Sequence, residues 1–89
     1  MANVTKKQDR YEIETHGQTV GHAIYRVDGD VVTMPHTEVD PAFGGRGLAG
    51  ELVQFALDDV RSQGLKVDPA CPYVAKWIDR HPDYQNLLA

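Results

Sequence analysis

A single cysteine, Cys71, occurs in the 89-residue sequence, so no internal disulfide can form. The four histidines, His16, His22, His36 and His81, show neither HExxH nor CxxC-type spacing, which argues against a structural zinc site and leads to the expectation of no bound metal. Basic residues are also scarce, with 9 Lys and Arg against 13 Asp and Glu and a net charge of −4. Without a cationic field, neither nucleic acid nor an anionic membrane is an expected partner. Apolar runs extend only a few residues, far below the ~20 needed to span a bilayer, and Met1-Ala2-Asn3-Val4-Thr5-Lys6-Lys7 lacks a signal-peptide core. A cytoplasmic protein is expected.

The hydrophobic share of 42% and charged share of 25% suit a folded globule. The length leaves room for one core, so residues 1–89 are expected to form one domain, as a monomer or weak homodimer. A domain of this size buries only about 60–65% of its unfolded surface, so a bound ligand should stabilise it visibly.

Periodicity divides the chain. Residues 11–16 alternate apolar and polar, the Gly17-Gln18 pair turns the chain, and a second alternating run covers 19–27. Asp28-Gly29-Asp30 is a hairpin signal of the type I′ kind and leads into a third strand over 31–39. Pro35 interrupts that strand and predicts a bulge, because proline cannot donate to a ladder. After Asp40-Pro41, Leu48, Leu52, Val53, Ala56, Leu57 and Val60 recur at helical spacing, and Gly64 suits the left-handed position that ends a helix. Leu65-Lys66-Val67-Asp68 reads as a strand parallel to the third. Pro72 suits the first turn of another helix carrying Val74, Trp77, Ile78 and His81, which Pro82 stops. The fold class is therefore α+β: antiparallel strands, then β-loop-α-β and a second helix, with Tyr84, Leu87 and Leu88 in a tail that docks on the sheet.

Gly44, Gly45, Gly47 and Gly50 lie between a strand and a helix, where bare N–H groups and the positive helix end make an anion site. Three glycines within four residues, with Arg46 among them, exceed what a tight turn requires. Gly45-Arg46-Gly47-Leu48-Ala49-Gly50 matches G-x-G-x-x-G literally, and Asp68 lies near the spacing of a ribose-binding acid. A dinucleotide fold nevertheless needs two βαβαβ halves, for which the chain is too short. A P-loop fails as well, since no Gly-Lys-Ser/Thr follows.

Four segments together resemble the GNAT superfamily of acyl-CoA-dependent N-acetyltransferases, in its minimal single-domain NATD-type or YjdJ-like branch. They are His36-Thr37-Glu38-Val39; Gly45-Arg46-Gly47-Leu48-Ala49 with Leu52-Val53-Gln54-Phe55-Ala56-Leu57; Gly64-Leu65-Lys66-Val67 through Cys71-Pro72-Tyr73; and Arg80-His81-Pro82-Asp83-Tyr84. The superfamily's Gln/Arg-x-x-Gly-x-Gly/Ala loop aligns on Gly44, Gly47 and Ala49, so Gly44 departs from it and supplies no side chain. The resemblance implies a sheet that splays to hold acetyl-CoA, with the pyrophosphate on Gly44, Gly45, Arg46, Gly47, Leu48 and Ala49. It places the pantetheine arm along Thr37 and Val39 and the thioester near Cys71, Pro72 and Tyr73.

Within that frame Cys71 has two readings, a small buried hydrophobe or a thiolate favoured by the helix end, acting as acetyl carrier or beside the departing CoA sulfur. Attack on a thioester requires a neutral amine, hence a proton acceptor. His36 is the candidate base, since a free imidazole titrates near ~6.5. Glu38, two residues along the same face, could orient it or bind the incoming ammonium; the bland readings are a hydrogen-bonded histidine and a solvated carboxylate. Tyr73, His81 and Tyr84 could line the thiol end, although Tyr84 and Trp77 read rather as core or helix–sheet packing, while His16 and His22 have no functional case beyond surface or strand-face positions. The acidic balance points to a lysine side chain or small cationic amine as acceptor, met at an open site. Two other functions fit the sequence: a non-catalytic acyl-CoA-binding or regulatory module, and an interaction domain that accepts a partner strand.

Overall fold

The computed structural model describes residues 2–89. Five strands form one sheet in the order β1 (Asn3–Lys6), β2 (Arg10–Thr15), β3 (Gln18–Asp28), β4 (Val31–Val39), β5 (Lys66–Asp68). The first four are antiparallel neighbours and β5 runs parallel to β4. Helix α1 (Leu48–Ser62) makes the crossover between β4 and β5, and α2 (Pro72–Asp79) follows β5. This is the expected α+β order with one added strand. Strand β1 has only Val4 as an apolar signal; it forms because the free edge of β2 pairs with it, Lys6 standing opposite Tyr11.

The β2–β3 and β3–β4 hairpins have two-residue loops. The first turns at His16 and Gly17, with φ of 53° and 74°, one residue earlier than the expected Gly17-Gln18. In the second, Gly29 alone has positive φ, 64°, as in a type II′ loop rather than the expected I′.

One face of the sheet carries the core. Tyr11, Ile13, Ala23, Val32, Met34 and Val67 meet Leu52, Val53, Ala56, Leu57 and Val60 of α1 and Val74 and Ile78 of α2. Fully burying a side chain of this size contributes about 1.5–3 kcal/mol, so this one layer supplies most of the driving force. Tyr11 also ties α1 to the sheet, its hydroxyl donating to Asp59 at 2.6 Å, and Lys6 and Gln63 reach the same carboxylate at 2.8 and 2.9 Å.

Two features position the site. Between the pairs Arg26↔Thr33 and Ile24↔His36, Tyr25 of β3 faces both Met34 and Pro35 of β4, which is the bulge that Pro35 predicted. Val32 and Met34 point into the core before it, Thr37 and Val39 turn that way after it, and His36 and Glu38 face outward. Secondly, the β4–β5 ladder ends at Thr33↔Asp68, so β4 continues to Val39 without a strand partner on that side. The opposite edge of β5 is covered by the tail, where Leu88 bridges Val67 after a 3₁₀ turn over Pro82–Leu87. Among the described residues no helix is long and apolar enough to cross a membrane.

Candidate active site

The loop ahead of α1 opens with Asp40 Oδ1 accepting from the Ala42 amide at 2.9 Å, closing a 3₁₀ turn over Pro41–Phe43. Gly45 and Gly47 then adopt left-handed φ of 78° and 75°, a region L side chains rarely enter. Gly47 is the N-cap of α1 and offers no side chain to its first amides. The first α-helical bond runs from the Glu51 amide to the Gly47 carbonyl, leaving the amides of Leu48, Ala49 and Gly50 without helical acceptors. A 15-residue helix that presents uncapped amides beyond a glycine turn favours an anion there. Arg46 adds a cation at this end, its guanidinium 5.1 Å from the centre of the Phe43 ring.

Helix α2 meets the same place. An added Cβ on Gly50 would lie 3.6 Å from Trp77 Nε1 and 3.8 Å from the Tyr73 hydroxyl, so the first turn of α2 rims the start of α1. Pro72 occupies the first turn of α2, where its missing N–H costs no hydrogen bond. Cys71 is the N-cap of α2, and its amide donates to the Met34 carbonyl at 2.8 Å, just past the end of the β4–β5 ladder. The thiol thus lies where the sheet opens, 6% exposed.

Burial is the largest single influence on the Cys71 thiol and pushes its pKa up. The amides of Val74 and Tyr73 in the first turn of α2, with the hydroxyl and amide of Thr37, outweigh it, so the net direction is down. The sulfur forms no short capping bond. Thr37 Oγ1 is buried, has no well-formed hydrogen-bond partner, and contributes through a weak contact with this sulfur.

The structure sets the loop residues Gly44, Gly45, Arg46, Gly47, Leu48 and Ala49 at the start of α1, which meets Tyr73, and sets Cys71, with Pro72 after it, beside Met34 and Thr37 on the edge of β4 that runs on unpaired to Val39. His36 and Glu38 are not in this group. They lie on the outward face, His36 Nε2 being 3.1 Å from Glu38 Oε1. Tyr84 is committed to packing, its hydroxyl on Asp58 at 2.8 Å and its ring against Trp77 and Arg61. His81 stacks on Trp77 with ring centres 3.7 Å apart. Sequence reasoning missed the Thr37 hydroxyl as a neighbour of Cys71, because only the bulge turns Thr37 inward.

Residues 10–87 match the family model of the GCN5-related N-acetyltransferases. The chain belongs to that family. Protein NATD1 of Gallus gallus is 40% identical over 57 residues, which are 64% of this chain and 52% of that one, so the chain spans about half the length of this curated relative. A GCN5-like protein of Staphylococcus aureus, solved by NMR, superposes with a TM-score of 0.77 at 20% identity, over 98% of this chain and 87% of its own. Rv2747 of Mycobacterium tuberculosis, crystallised in complex with CoA, superposes with a TM-score of 0.66 at 24% identity, over 84% of this chain and 48% of its own. These likenesses establish for this chain a GNAT fold with a curled five-stranded sheet and two helices.

Proposed function

We propose that this GNAT chain transfers acetyl from acetyl-CoA to a primary amine, a lysine side chain or a small cationic amine. The observation that carries this reading is that the uncapped start of α1 meets the first turn of α2, whose N-cap Cys71 sits beside the edge of β4 that runs on unpaired beyond Thr33. The glycine amides and Arg46 fit a pyrophosphate in charge and in hydrogen bonding. The edge of β4 offers backbone groups to an extended amide-bearing arm, as it would to a strand.

At the far end Cys71 acts on the thioester. Its thiolate forms a bond to the acetyl carbon as the bond to the CoA sulfur breaks, and CoA leaves with a proton as the free thiol. The amine nitrogen then bonds to that carbon, the bond to Cys71 breaks, and the amine's proton is taken up. His36 and Glu38 face away from this group, so the amine gives its proton to water at the open site rather than to the expected His36. Mass spectrometry of protein mixed with a small excess of acetyl-CoA, without amine, tests the first half. An acetyl adduct on Cys71 is expected, and an unmodified thiol despite CoA binding would replace it with direct transfer.

The 6% exposure of Cys71 favours a second reading, an acyl-CoA-binding module without turnover. CoA release over a panel of amines separates the two, since a module releases none above the background of Cys71→Ala.

A further inference from the structure

On the face turned away from the helices, strand register assembles a cluster that no sequence spacing reveals. His22 of β3 stands directly opposite Glu38 of β4, and His36 lies opposite Ile24, two residues along. The rings of His22 and His36 have centres 5.8 Å apart, and His36 Nε2 is 3.1 Å from Glu38 Oε1. One donor atom from each of His22, His36 and Glu38 lies within 4.8 Å of the other two.

We infer that His22, His36 and Glu38 form a binding site for a late divalent transition metal, of which Zn²⁺ is the natural occupant. Two imidazoles and one carboxylate are the donor set of zinc sites that keep a fourth position open. Imidazole donors select such ions over Mg²⁺ and Ca²⁺, which take oxygen ligands. Bonds of about 2.0–2.1 Å at tetrahedral angles place neighbouring donors about 3.3 Å apart. The His36–Glu38 pair already has that separation, and the remaining closure is of the order of an ångström. His36 and Glu38 are 52% and 63% exposed, so both can swing, while half-buried His22 is the fixed point.

The surroundings complete the case. Glu12 of β2 stands opposite His22 on the same outward face, adding negative charge beside the ion. His22 and Glu38 also line a concavity of about 380 Å³ that extends to Asp40 and Pro41, giving the fourth position room for water or a small ligand. Cross-strand placement rests on the sheet and not on loop order, so the three residues are already neighbours before the ion arrives.

Calorimetric titration of the whole chain with Zn²⁺ in a non-chelating buffer, without CoA, tests the inference independently of any acetyl transfer. One ion per chain at micromolar affinity or tighter is expected, weakened at least roughly tenfold in both His22→Asn and Glu38→Gln. The pair His16→Asn with His81→Asn should leave it unchanged. Co²⁺ should give visible d–d bands without a sulfur charge-transfer band. No binding up to about 1 mM Zn²⁺, wild-type affinity in His22→Asn, or a thiolate band that places the ion on Cys71 would each overturn the site. Both outward-facing substitutions are checked for folding by thermal melting, and either variant alone decides the result.

Discussion

The Cys71 amide donates to the Met34 carbonyl at 2.8 Å, one residue beyond the last ladder pair of β4 with β5, and this bond fixes where the sheet stops and the opening begins. The thiol is thereby held close to Thr37 and over the first turn of α2.

Cys71 should react as an activated thiol. Because its pKa lies below the ordinary value, alkylation by a small reagent should rise with pH to a plateau at a midpoint below that of an ordinary cysteine thiol. Thr37→Val removes a buried hydroxyl that has no well-formed partner, so it should raise that midpoint with little loss of stability. A midpoint that stays in place would separate Thr37 from the thiol.

The left-handed turn should matter more to binding than any one side chain in it. Gly47→Ala places a Cβ at φ 75°, costing about 1–2 kcal/mol of backbone strain, and should weaken acetyl-CoA binding in calorimetry. Arg46→Ala should weaken it by roughly tenfold at low salt and less at high salt, because its contribution is electrostatic.

Two glycines should part company in urea unfolding. A Cβ on Gly21 would sit 2.8 Å from the Glu38 carbonyl oxygen, 2.9 Å from Val39 Cγ2 and 3.1 Å from Ile13 Cγ2, in the middle of the sheet. Gly21→Ala should therefore cost about 1–3 kcal/mol. Gly50→Ala meets only ordinary contacts and gains helix propensity, so it should be neutral or stabilising by up to about 1 kcal/mol.

Acid should weaken the tie between α1 and the sheet. Burial alone raises the Asp59 pKa, but Lys6, Tyr11 and Gln63 outweigh it and hold it below the usual carboxylate range. The resulting stabilisation is full above the unfolded value near ~3.9 and disappears as pH falls through the lower folded value. Asp59→Asn should cost about 1–3 kcal/mol at neutral pH, largely through the buried Tyr11 hydroxyl, and flatten the acid limb of the stability curve. Thermal melts from about pH 6 to pH 2 in both proteins check this.

The central β-loop-α-β unit was legible because Leu48, Leu52, Ala56 and Val60 keep one period and Gly64 ends it. The glycine turn was legible for the same local reason. Strand β1 was not, since its stability comes from the edge of β2 and from Lys6 reaching Asp59, neither of which is local. The first hairpin loop was misplaced by one residue because His16 takes a positive φ that its residue type does not advertise. The proximity of His22 to His36 depends on register across two strands, and one bulged residue shifts it. Glu38 and His36 were rightly read as sharing a face, but which face lay beyond the reach of simple alternation.

The two-for-one step at Met34 and Pro35 works as a phase shift in the sheet. Upstream, the even-numbered residues of β4 belong to the interior; downstream, the odd-numbered ones do. Were the bulge lost with both residues kept, so that Pro35 stood opposite Ile24, His36 would move into the place of Thr37 opposite Ala23, and Cys71 would face an imidazole instead of a hydroxyl. One backbone unit thus sorts the chemistry of a strand between two surfaces, and drawing that extra residue into regular pairing would exchange the surfaces without changing any functional side chain.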